Sequence, residues 1–136
     1  TLSHFHGAPG RAVIHHGQNS LAVFSSFQKR VVDNAGVVQG YNHQSMAWFT
    51  GPGHFTLAQD GNEVVFDYTK EPASAFEGFP PLKSNTSGFS TFVYGHMIDR
   101  VRRVSRHCVV GAAFKKGKPF NAWFILIREG ESGPSN

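Results

Sequence analysis

The chain has a single cysteine, Cys108, among 136 residues. One cysteine closes no internal disulfide and builds no cysteine-based zinc site. A disulfide scaffold is therefore excluded, and a reducing compartment fits better. No apolar run reaches the ~18 residues that a membrane helix needs. The longest clean one, Ala122 to Ile127, is the length of a strand. There is no signal-peptide pattern, no internal repeat, and no linker that divides the chain. Charged residues are few, at 16%. That composition excludes a disordered or acidic-tail protein.

What is present is apolar and aromatic. The chain is 40% hydrophobic and has 13 Phe, enough for a well-filled core or an exposed apolar patch. Lys and Arg number 13 against 9 Asp and Glu, for a formal charge of +4. Mild basicity is compatible with nucleic acid or an anionic membrane surface. The chain begins at Thr1 rather than Met and ends in a polar Glu131–Asn136 stretch. Both features suit a product cut from a longer chain.

One domain is expected over residues 11–128, with an arm over 1–10 and a polar tail over 129–136. Ala12 to Ile14 and Leu21 to Phe27 suit strands. Gln28 to Val38 reads equally as strand or helix. Met46 to Phe49 leads to a turn at Gly51-Pro52-Gly53. The clearest element is a hairpin over His54 to Tyr68. Taking Asp60-Gly61 as its loop pairs Gln59 with Asn62, Phe55 with Phe66 and His54 with Asp67. One face then carries Phe55, Leu57, Val64, Phe66 and Tyr68, as a half-buried antiparallel pair requires. Glu71 to Ser87 reads as a loop pinned by Phe76 and Phe79. Phe89, Phe92, Val93, Met97, Val101 and Val104 recur every three or four residues, and this predicts a helix over Phe89 to Arg106. Lys115 to Pro119 reads as a turn and Phe120 to Ile127 as the last strand or an apolar clasp.

Four constellations could carry chemistry. In the first, His54 opens the hairpin and lone Cys108 follows some fifty residues later, the layout of a thiol enzyme. His54 would take the thiol proton and Asp67 would orient the imidazole. The bland alternative is a small core cysteine and a surface histidine. The second is a basic cluster of Arg100, Arg102, Arg103, Arg106, Lys115, Lys116 and Lys118, suited to phosphate contacts, with Tyr94, His96 and Trp123 able to stack on bases. Its alternative is a solvated face. The third is His4, His6, His15 and His16, a zinc-like grouping. No acidic residue or cysteine lies near it in sequence, and no metal site is expected. The fourth is Phe120 to Ile127 beside the lysines, which suits peripheral membrane contact or a buried strand.

The stretch Gly53-His54-Phe55-Thr56-Leu57 through Asp60-Gly61 and Val64-Val65 resembles the H-box of the LRAT-like and HRAS-like-suppressor acyltransferases, within the NlpC papain-like group. Ser105-Arg106-His107-Cys108-Val109 resembles their Asn-Cys box. A short basic chain with both boxes is similar to the H-box/NC type of picornavirus 2A proteins, and in length to those of kobuviruses. The resemblance implies an α+β, papain-like (LRAT-like) domain with an antiparallel sheet and a helix before the cysteine. It implies a viral non-structural protein of the host cytoplasm, at replication membranes, that supports RNA replication and encapsidation through host or viral partners. No cofactor is implied. Two departures stand out: His107 replaces the family's Asn, and Phe66 falls where the third catalytic group aligns. Lost or altered catalysis follows from them. The alternatives are a working thiol acyltransferase or hydrolase built on Cys108, His54 and Asp67, and an RNA-binding module built on the basic cluster.

Overall fold

The structure, a computed structural model, describes residues 1–22, 25–45 and 50–130. The expected approach at Met46–Phe49, the middle of the Leu21–Phe27 run and all but the first two residues of the expected tail lie outside the described residues.

Eight strands form one closed barrel: β1 (Val13–Asn19), β2 (Ser26–Asn34), β3 (Val37–His43), β4 (Phe55–Asp60), β5 (Glu63–Asp67), β6 (Met97–Arg103), β7 (Cys108–Lys115) and β8 (Lys118–Arg128). Each strand pairs antiparallel with its sequence neighbour, and β8 returns to β1. Closure leaves no unpaired sheet edge. The described helical elements are a 3-10 turn over Leu2–His4 and a four-residue α1 over Ser90–Val93. No helix among them is long and apolar enough to cross a membrane.

This overturns the α+β, papain-like expectation. A papain-like site needs its cysteine on a helix, and Cys108 begins a strand. The helix predicted over Phe89 to Arg106 is α1 followed by β6. The chain turns at Gly95 and His96, the latter with φ of 59°, which no helix accommodates. In β6, Asp99 and Val101 face inward while Arg100 and Arg102 pair with carboxylates on the outside. An inward acid hides the period of two from a hydrophobicity pattern, and the three-to-four spacing shows through instead.

The hairpin survives with another register. Its loop is Gly61-Asn62, with Asp60 opposite Glu63, Leu57 opposite Phe66 and Thr56 opposite Asp67. Gly61 has φ of 60°, which suits a glycine-first two-residue loop. A slip of two residues keeps each side chain on its face, so patterning could not distinguish the two registers. The five residues expected inward, Phe55, Leu57, Val64, Phe66 and Tyr68, are all buried. At the far end, Lys116 and Gly117 take φ of 52° and 75° in the β7–β8 turn, as a type I′ loop needs.

The two barrel ends differ. One is plugged by the N-terminal segment: Phe5 is 1% exposed and its ring meets Phe66 edge-on at 5.1 Å. Arg128 donates to the carbonyls of His4 and His6 and ties this segment down. The other end carries the long β3–β4 and β5–β6 connections and is more open.

Candidate functional site

The barrel core contains a lysine. Lys29 occupies an inward position of β2 between Phe27 and Val31 and is 2% exposed. Its ammonium donates to Asn42 Oδ1 at 3.0 Å, to Asp99 Oδ2 at 3.1 Å and to the Tyr68 hydroxyl. Three donors thus meet three acceptors. Asn42 Nδ2 donates to the Tyr68 hydroxyl at 2.9 Å and to the Gly53 carbonyl at 3.2 Å. The Phe55 and Phe66 rings lie 4.9 Å from the ammonium and the Tyr68 ring 5.0 Å, close enough for cation–π attraction. Burial lowers the Lys29 pKa and raises that of Asp99, and their ion pair opposes both shifts. Burial also raises the Tyr68 phenol well above its ordinary value. The geometry, three acceptors arranged around three N–H groups, keeps the pair ionised.

This network floors a cavity of about 110 Å³ that opens at the less obstructed end. Its walls are mainly apolar, including Leu21, Phe27, Val93, Met97, Phe120 and Phe124. Tyr94 stacks on Tyr68 with centroids 5.3 Å apart and bonds through its hydroxyl to Gln44. The site therefore combines an apolar chamber with a polar floor whose donors are already engaged. Sequence reasoning missed Lys29, Asp99, Asn42 and Tyr68 as a set. A signal did exist: Lys29 sits between Phe27 and Val31, and Asp99 between Met97 and Val101, so each charge falls in the apolar phase of a strand.

The expected thiol site is not brought together. β4 begins at the open end, where β5 ends, whereas β7 begins at the plugged end. Asp67 shares a rung with Ile98, and Ile98 with Phe114. Cys108 lies six residues further along β7, roughly 20 Å away, far outside hydrogen-bond reach. His54 is fully buried, and its Nε2 donates to the Pro80 carbonyl at 3.0 Å. Burial lowers its pKa. Asp67 instead accepts from the backbone and hydroxyl of Thr69, at 2.9 and 2.6 Å, and stabilises the turn after β5. Alkylation of Cys108 by iodoacetamide is accordingly expected to proceed at the same rate, within about twofold, in wild type and His54→Ala. A tenfold difference, measured on folded protein, would restore the dyad.

The basic cluster divides three ways. Arg100 pairs with Asp60 and Glu63, and Arg102 with Glu63, on the outer wall. Lys115, Lys116 and Lys118 flank the β7–β8 turn at the open end, where Lys115 donates to the Phe92 carbonyl at 2.8 Å. Arg103 and Arg106 stand at the plugged end. Of the proposed stacking residues, Tyr94 is buried while Trp123 is 63% exposed on β8. Of the four N-terminal histidines, His4 and His15 meet with ring centroids 5.9 Å apart. His6 bonds the Gly7 carbonyl and His16 pairs with Glu129 outside. Among the described residues no group of three potential ligands could hold a metal. Along β8, Trp123, Ile125 and Ile127 are exposed while Ala122, Phe124 and Leu126 are buried. The last strand is thus both core and outer apolar stripe.

No family model and no curated protein matches this chain. The fold and the site define its class by themselves: a closed up-and-down β-barrel with an ionised network in its core and an apolar chamber at one mouth.

Proposed function

We propose that this protein is a non-catalytic binding barrel that holds a small apolar molecule in the chamber above Lys29 and Tyr68. The observation that carries the reading is the chamber itself: apolar walls, about 110 Å³ of space, and a floor whose hydrogen bonds are already complete. Eight-stranded barrels are just wide enough to fill with side chains or to hold one small ligand. Space of this order accepts molecules about as large as benzene. Because Lys29 spends its three N–H groups on protein acceptors, a charged head would have to break the network, so the favoured ligand is uncharged.

The test is an NMR titration with benzene and indole. Saturable shifts are expected at the amides of Ala113, Ala122 and Phe124, which line the chamber. They should vanish in Ala122→Leu, which fills it. Linear, unsaturated shifts would end the reading. We extend it to the viral role implied by the two sequence boxes, in which the barrel serves RNA replication by binding rather than catalysis. Its support is the resemblance, together with the separation of His54 from Cys108. A replicon encoding Ala122→Leu should accumulate less RNA, and unchanged accumulation would remove the extension.

A further inference from the structure

The plugged end presents a basin opposite the chamber, with open space of about 730 Å³. Its wall draws on separate parts of the chain: Arg103 at the end of β6, Arg106 and His107 in the β6–β7 turn, Arg128 at the end of β8, and His4 in the plug. These groups are far apart in sequence and meet only through barrel closure. Arg103 and Arg106 are exposed, and neither has a carboxylate partner among the described residues. Arg100 and Arg102 on the adjoining wall are neutralised by Asp60 and Glu63, so the arginine-rich run concentrates its uncompensated charge here. Glu129 is the one carboxylate among the lining residues, and its Oε1 is 3.3 Å from His16 Nε2. The Nε of Arg103 is anchored on the Ser105 carbonyl at 2.8 Å, which pre-orients the guanidinium.

A second observation is independent of charge. His4 lines this basin and is 6% exposed, yet its Nε2 has no hydrogen-bond partner. Burial lowers the His4 pKa to about 4, with further contributions from Arg128, Arg103 and His107. The cationic side chains therefore share one local field.

We propose that this basin is an anion site for a compact phosphate-bearing ligand, held by Arg103 and Arg106 with Arg128 and His107 completing the field. Arginine forks match phosphate oxygens in pairs. The space is that of a small-molecule site, bounded by the plug rather than running on as a groove, so a compact polyanion fits better than a nucleic-acid strand.

The experiment is calorimetric titration of the full chain with inorganic phosphate, pyrophosphate and a single-stranded RNA ten nucleotides long. Pyrophosphate is expected to bind saturably and more tightly than phosphate. Arg103→Gln with Arg106→Gln should weaken it at least tenfold, while Arg100→Gln with Arg102→Gln should leave it within about twofold. Both pairs are exposed or half-exposed, and circular dichroism confirms that each variant is folded. Should either pair unfold the barrel, the single Arg106→Gln variant carries the comparison with the same tenfold expectation. Absence of saturable pyrophosphate binding overturns the proposal. So does equal weakening by the two pairs, which means a diffuse surface field, and so does binding of RNA without pyrophosphate, which means a strand-tracking surface.

Discussion

Lys29→Met is expected to destabilise the protein by about 3–5 kcal/mol, because it leaves Asp99 buried without its counter-ion. Lys29 and Asp99 are 2% and 6% exposed at the side chain and 3.1 Å apart. Removing the ammonium also takes a donor from Asn42 and Tyr68. Against a typical total of about 5–15 kcal/mol, the loss should appear as a fall in Tm of roughly 10–20 °C. The double variant Lys29→Met with Asp99→Leu should recover most of it, since apolar groups of similar volume replace buried ion pairs at little cost. The pH dependence sharpens the test. In the single variant Asp99 faces burial alone, and its pKa in the fold rises further above the unfolded value. The penalty should therefore be small at acid pH and grow as pH rises through the folded pKa. Equilibrium denaturation of the three proteins measures all of this. A single variant within 1 kcal/mol of wild type at neutral pH would show that the network is wet rather than buried.

Acidification should unfold the wild-type barrel between about pH 6.5 and pH 4. Burial lowers both His4 and His15 from 6.5 to about 4. Their folded pKa values lie below the unfolded one, so the stabilisation is complete above pH 6.5 and is lost as pH falls through the folded values. The difference corresponds to roughly 3 kcal/mol for each, with a smaller share for His4, nearer the surface. Structure supplies the cause. His15 is fully buried, its Nε2 meets the Phe5 carbonyl at 3.1 Å, and its Nδ1 has no partner. A second proton there would be a buried donor without an acceptor, beside another imidazole. His54, also lowered by burial, acts in the same direction. His15→Phe, packed against Phe5 at the present 5.3 Å contact, should flatten the slope in this window, whereas His16→Gln on the outside should not. A wild-type stability that stays level from pH 6.5 to pH 4.5 would refute this account.

Much of the hairpin is legible in the residues alone. Phe55, Leu57, Val64, Phe66 and Tyr68 alternate strictly, and all five are buried. The Lys115–Pro119 turn and the pinning of the β5–β6 connection are legible too: Phe79 packs on Tyr41 at 4.8 Å and on Phe76 at 5.3 Å. The candidate site is much less so. Lys29 and Asp99 lie 70 residues apart and carry charge where patterning expects carbon. A local window reads each as a break in a strand rather than as half of a pair. The same effect makes β6 resemble a helix and lends weight to a papain-like reading of Cys108.

The chain's local alphabet comes from its residues without help: which stretches alternate, where glycine permits a tight reversal, and that one thiol and mild positive charge limit the chemistry. Those properties follow from bond geometry and side-chain polarity within a few residues. Closure, register and the company each polar group keeps belong to the folded barrel alone. Strand β8 meets β1 across more than a hundred residues, and that closure gathers Arg103, Arg106 and Arg128 at one end while holding Cys108 away from His54. A two-residue slip preserves each face, and a buried charge is tolerated only when a distant partner arrives. Both are conditions on pairs of segments, which no single stretch of chain contains.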